Sequence, residues 1–182
     1  MPRTTTAHLF CSVNGVVESP HLWQFGAFGP EEGQAMSEGI RGVTDVVLGR
    51  TLFEEWSQFW PGMPADDPFA SFINPVRKHV VSGTLTGDLG WAATAVDGDP
   101  VAHVRALQQQ GEGGISVVGG ITTTRTLFLA GVVDRLTLTV HPAVTPEGRR
   151  LFDETVPTTR LRLLEGTTTS AGNARLTYAL RD

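Results

Sequence analysis

Short apolar runs alternate with stretches of helical periodicity along most of the chain, the pattern of strands interleaved with helices. Residues 7–13 are rich in apolar and small residues and stop at Asn14-Gly15, which predicts a buried first strand and a turn. Pro30-Glu31-Glu32 opens a helix, with Pro suited to its first turn and carboxylates to its positive end; it is expected to stop near Gly39 or Gly42. Residues 45–49 predict a second strand, and residues 51–56 a short helix directly behind it. Residues 61–68, with three Pro and two Asp, read as a loop. Residues 78–82 predict a third strand and residues 91–96 a weaker fourth.

The clearest helix follows. Asp99 is a good N-cap, Pro100 takes the first helical position, and Val101, Val104 and Leu107 share a face before Gly111 ends it. Residues 114–118 form a strand that Gly119-Gly120 turns into a helix over 122–130, closed by Gly131. Leu136, Leu138 and Val140 alternate with Thr137 and Thr139, as on a half-exposed strand. Residues 160–165 and 174–180 read as closing strands around a Gly172-Asn173 turn. The expectation is an α/β fold: one domain over residues 1–182, with a mixed, mostly parallel sheet between helices on both faces.

Composition narrows what such a fold can do. A chain that is 40% apolar and only 18% charged can build a core, so wholesale disorder is excluded. The net charge is −5 and the 14 basic residues form no cluster, which argues against nucleic acid as a partner. A deep site for one anionic ligand stays open, since a few Arg and some backbone amides suffice. The single cysteine, Cys11, excludes an internal disulfide and a Cys-based metal framework. No apolar run is long enough to span a bilayer, and the stretch after residues 1–6 is too short for a signal peptide. A cytoplasmic protein acting on a small molecule is expected.

Two strand-to-helix turns carry the candidate chemistry: Gly49-Arg50-Thr51 and Gly119-Gly120-Ile121-Thr122. Each leaves a strand through Gly and enters a helix whose first amides have no partner within the helix, an arrangement that favours an anion such as phosphate. Gly lets a ligand approach the backbone, and Arg50 can add a charge-assisted contact. Taken alone, each turn is more often just a tight connection. Neither is a G-x-G-x-x-G fingerprint, and no G-x-x-x-x-G-K-[ST] loop occurs. No G-x-S-x-G elbow is present, Cys11 sits in an apolar strand, and the five His show no metal spacing. His8 and His141 read as structural strand residues and His103 as a surface residue. Glu31 and Glu32 are most simply helix N-terminal charges; as substrate ligands they are the alternative.

The order of segments is more telling than any one of them. Residues 12–18 (SVNGVVE), 47–56 (VLGRTLFEEW), 77–82 (RKHVVS), 116–121 (SVVGGI), 133–136 (VDRL) with Val140-His141-Pro142, and 148–152 (GRRLF) together resemble the dihydrofolate reductase-like superfamily. The resemblance is to the branch related to the reductase domain of bacterial riboflavin biosynthesis, and it runs from about Ala7 to Tyr178.

That resemblance implies a three-layer α/β/α fold binding NADPH along the carboxyl ends of the central strands. It implies cofactor contacts at Gly49, Arg50, Thr51, Gly119, Gly120, Ile121 and Thr122, with Ser82 and Thr84 near the adenosine 2′-phosphate. Asn14 and Trp23 would line the nicotinamide and substrate side, Phe53 and Trp56 would form an apolar substrate wall, and Glu32 or a water near Asn14 would relay the proton. A homodimer built through the strand-rich C-terminal half is also implied. This chain departs from the pattern in having Asn14 where relatives often carry Asp, and Gly83 where many carry a basic residue, which leaves Arg50 as the charge for the cofactor. It also has Leu52 two places after Arg50, with Thr51 one place earlier, and a longer loop from Trp23 to Glu32. The expected function is NADPH-dependent hydride transfer to a C=N or C=O bond of a small, pterin- or pyrimidine-like heterocycle. The alternative is a nucleotide-binding or regulatory homologue without turnover.

Overall fold

The computed structural model describes residues 2–181. Its first half runs β1 (Thr5–Ser12), α1 (Pro30–Ile40), β2 (Val43–Gly49), α2 (Arg50–Phe59), α3 (Pro68–Ile73), β3 (Arg77–Val81), β4 (Asp88–Gly90) and β5 (Ala93–Ala95). The second half runs α4 (Pro100–Gln108), β6 (Gly114–Val118), α5 (Ile121–Leu129), β7 (Arg135–His141), β8 (Leu161–Thr168) and β9 (Ala174–Leu180). The strands form one sheet in the order β4-β5-β3-β2-β6-β1-β7-β9-β8, parallel from β5 to β7 and antiparallel at β4, β9 and β8.

Strand alternation sorts the core into two layers. Val47, Val117 and Ala7 meet across β2, β6 and β1 and bury against Val104 of α4 and Leu127 and Phe128 of α5. Their neighbours Val46 and Leu48 face the other way, onto Phe53 of α2 and Ile73 of α3. The expected three-layer fold is therefore present. α1 covers the second face at the β1–β7–β9 end, and of its residues only Glu32 is fully buried. This helix stands off the sheet more than it packs into it.

Local chemistry explains the element starts. Asp99 caps α4 by accepting from the amides of Val101 and Ala102, with Pro100 in the first turn. Asp67 does the same for α3. That six-residue helix lies beyond the expected 61–68 loop and is too short to show a helical period in the sequence; the three-residue β4 is likewise missed. Asp45, at the start of β2, is buried among Arg3, Arg77 and His79; burial raises its pKa, but hydrogen bonds from His79, Arg3 and Thr44 outweigh that and hold it at about 2. His103 departs from the surface placement expected of it: it is half-buried, with Nε2 3.0 Å from Nδ1 of His79.

Candidate cofactor and substrate site

β2 and β6 are parallel neighbours, so the helices that follow them begin side by side at one end of the sheet. Gly49 closes β2 and caps α2; Gly120, at φ 62° and ψ 84°, caps α5 in the left-handed conformation that Gly tolerates best. The two turns touch. A Cβ on Gly49 would stand 2.9 Å from Thr123 Oγ1, and one on Gly120 would stand 3.6 Å from the Gly49 amide nitrogen. A Cβ on Gly119 would collide with Leu52 Cδ2, and the Thr124 hydroxyl donates to the Gly119 carbonyl at 2.7 Å. Neither helix has a side-chain cap, so two sets of first-turn amides lie open next to each other, as an anion requires.

The other expected contacts sort themselves around these turns. Arg50 is exposed and, among the described residues, holds only a 3.8 Å pairing with Glu54, which leaves its guanidinium free to swing onto a ligand. Thr51 and Thr122 are exposed, whereas the Ile121 side chain is in the core and offers the turn only its amide. Ser82 and Thr84 follow β3, the next strand over from β2. The Ser82 hydroxyl accepts from the amides of Thr84 and Leu85, which fixes this loop.

The β1 side is tightly stitched. Asn14 Oδ1 accepts from the Ser12 hydroxyl and the Thr145 amide, while Nδ2 donates to the Thr145 carbonyl. Trp23 is buried, donates to the Glu18 carbonyl at 2.9 Å, and sets its ring edge-on to His141 with centroids 5.8 Å apart. Glu32 reaches back to the Gly29 amide in a capping box and accepts from Asn173 at 2.7 Å. Burial would raise its pKa, but these bonds and one from Thr169 win and hold it at about 2. Glu32 is therefore ionised near neutral pH. It acts here as an acceptor, and Asn14 as a fastener of its own loop, so neither side chain has a proton ready to hand on. Phe53 and Trp56 pack among Ile73, Trp91 and Phe69 in the second core layer. A cavity of about 190 Å³ opens between α1 and the sheet, over β1, β7 and β9.

Residues 3–174 match the sequence model of the RibD C-terminal domain. The chain belongs to that family. A curated relative, the uncharacterized protein YyaP of Bacillus subtilis, is 25% identical over 141 residues, which is 75% of this chain and 73% of YyaP. Among solved structures, a putative riboflavin biosynthesis protein from a Shewanella species superposes with a TM-score of 0.74 at 16% identity, covering 98% of this chain and 99% of that one. Dihydrofolate reductase from Enterococcus faecalis, complexed with NADP(H), superposes with a TM-score of 0.59 at 18% identity, covering 98% and 97%. At such identities these likenesses show the fold.

In this RibD-family chain the sequence reading missed the floor of the cavity. His8 of β1 and Thr139 of β7 line it; Phe10, on the same face, packs edge-on to His8 and to His141, which is fully buried outside the cavity lining. The period-2 placement of His8, Phe10 and Ser12 against Ala7, Leu9 and Cys11 was a signal that two faces of β1 do different jobs. Arg175, from β9 opposite Thr139, completes the floor. No local motif announces it, because its neighbours come from strands far away in sequence.

Proposed function

We propose that this protein is an NADPH-dependent reductase that delivers hydride to a C=N or C=O bond of a small heterocycle of pyrimidine or pterin type. The observation that carries this reading is the contact between the Gly49 and Gly120 turns, which leaves two uncapped helix starts at one point of the sheet end. A phosphate-bearing cofactor suits that cradle because the first-turn amides of both helices lack a side-chain cap, while Gly at 49 and 119 lets the two turns pack, since a side chain there would collide with Thr123 or Leu52. Gly49, Thr51, Gly119, Gly120, Ile121 and Thr122 would hold the pyrophosphate through backbone amides and hydroxyls. Arg50, Ser82 and Thr84 would face the adenosine side, and Asn14 and Trp23 the nicotinamide side. When bound, the nicotinamide supplies the hydride. The chain's own part is to orient the two reactants and keep water out, with Trp23 and Phe10 as the apolar wall. Membership of the RibD family supports the same reading, as does the fold shared with a dihydrofolate reductase complexed with NADP(H).

The rival reading, a binding homologue without turnover, draws on the commitment of Glu32 and Asn14 to structural bonds. NADPH oxidation followed by absorbance against a panel of pterins, pyrimidines and imines separates the two, alongside NADPH binding by fluorescence. Binding with turnover of at least one substrate is expected. Binding with none favours the rival, and no NADPH binding overturns both.

A further inference from the structure

The fold joins two histidines that lie 24 residues apart in the chain. His79 of β3 stands in register with Val47 of β2 and shares its face, the one buried against Val104 of α4. His103, in the first turn of α4, meets it there. Nδ1 of His79 and Nε2 of His103 are 3.0 Å apart, and the ring centroids 4.9 Å apart. On its other side, His79 Nε2 lies 2.9 Å from Oδ1 of Asp45.

The carboxylate fixes where the protons sit. Asp45 is ionised near neutral pH and only accepts, so Nε2 of His79 is the donor, and Nδ1 of the neutral ring is a lone pair directed at His103. Burial first, and then His79, hold the His103 pKa below its ordinary value, so its ring is neutral near neutral pH. Its Nε2 donates to that lone pair, and its Nδ1 has no protein partner among the described residues.

Two imidazole nitrogens this close can share a metal ion in place of a proton. The proton between them moves to Nδ1 of His103, and a turn of that half-buried ring brings both lone pairs to one point. With metal–nitrogen bonds of about 2.0–2.1 Å, a 3.0 Å separation corresponds to about 90–100° at the ion, whereas a tetrahedral angle needs about 3.3–3.4 Å. A near-right angle suits tetragonal Cu(II), which is also the strongest binder among the first-row divalent ions. Asp45 stands where carboxylates stand behind metal-bound histidines, fixing the tautomer and the ring orientation. Because Arg3 and Arg77 already face that carboxylate, no net negative charge is left over for a hard ion such as Ca(II). Among the described residues no group of three His, Cys, Asp or Glu side chains converges as a ligand set, so the other positions fall to water.

We propose that His79 and His103 form a two-nitrogen site for Cu(II) that clasps α4 to β3. The site does not rest on the reductase reading.

Calorimetric titration with Cu(II), Zn(II) and Ca(II) in a non-coordinating buffer near neutral pH tests it. One Cu(II) per chain is expected, at least tenfold tighter than Zn(II), with no Ca(II) bound. His103→Ala should lose at least tenfold for Cu(II), and His21→Ala, which removes an exposed histidine elsewhere, less than twofold. Cu(II) should raise the melting temperature of the parent but not that of His103→Ala, and a chelator should reverse the rise. Electron spin-echo spectra of the Cu(II) form of the parent should show two coordinated imidazoles; should His103→Ala fail to fold, this measurement decides alone. No Cu(II) binding, an affinity that survives His103→Ala in the folded variant, a spectrum with fewer than two imidazoles, or Zn(II) or Ca(II) bound as tightly as Cu(II) overturns the proposal.

Discussion

The side-chain amide of Asn173, at the turn between β8 and β9, donates to Oε1 of Glu32 at 2.7 Å and to the Ala27 carbonyl at 2.8 Å. One fully buried side chain thus ties the N-terminus of α1, and the loop before it, to the tip of the C-terminal hairpin. A hydrogen bond to a charged group contributes about 1.5–3 kcal/mol, so Asn173→Ala should lower unfolding stability by about that amount. Urea titration followed by circular dichroism measures it. A loss below about 0.5 kcal/mol would mean that the carboxylate finds solvent as easily as it finds Asn173.

Acid should act through the same latch. Glu32 and Asp45 both titrate at about 2 in the folded chain, below their ordinary 4.5 and 3.8. Because the folded values are depressed, the stability these groups contribute is complete above about pH 4.5 and drains away as pH falls through about 2. Melting temperature against pH should therefore drop steeply over that window. In Glu32→Gln the drop should be shallower, from a lower starting plateau, and parallel curves would refute the linkage.

The glycine turns can be separated by where a methyl group would go. In Gly120→Ala the added carbon has nothing nearer than 3.6 Å, so the fold bears only the left-handed backbone cost, about 1–2 kcal/mol. The same carbon enters the anion cradle. NADPH affinity should fall at least tenfold while the melting temperature drops by only a few degrees; unchanged affinity in the folded variant would remove the turn from the cofactor site.

Arg50 is the one cation at either turn, and among the described residues its only ionic partner is 3.8 Å away on the same helix. Arg50→Ala should cost about 1.5–3 kcal/mol of NADPH binding, roughly ten- to a hundredfold in Kd. If the charge reads the 2′-phosphate, NADH affinity stays put. If it grips the pyrophosphate, both cofactors weaken together, and a variant that binds both as the parent does would exclude either role.

Much of this could be read from the chain because the signals were local. Asp99-Pro100 marks the start of α4 to the residue, and Gly after an apolar strand run marks both anion turns. α3 escaped notice because six residues hold fewer than two helical turns. The site was legible in inverse proportion to its sequence separation. Gly49-Arg50-Thr51 is one motif, whereas the Glu32–Asn173 latch joins residues 141 positions apart and the Arg175 floor needs three strands in register. Glu32 stood out as a carboxylate at a helix start, but nothing near it in sequence revealed that its oxygens are already engaged.

The strand order also governs when the molecule can come together. β1 and β2 are the first two strands made, yet they never touch, because β6 lies between them and β7 flanks β1 on the other side. Until residue 118 has been synthesised, β1 has no neighbour on either edge, and β2 has only β3. A nascent chain must therefore keep an apolar strand unpaired through well over half of its length. It then closes the sheet by inserting β6 into a gap already framed, a late, long-range step of the kind that slows folding and exposes strand edges to other chains.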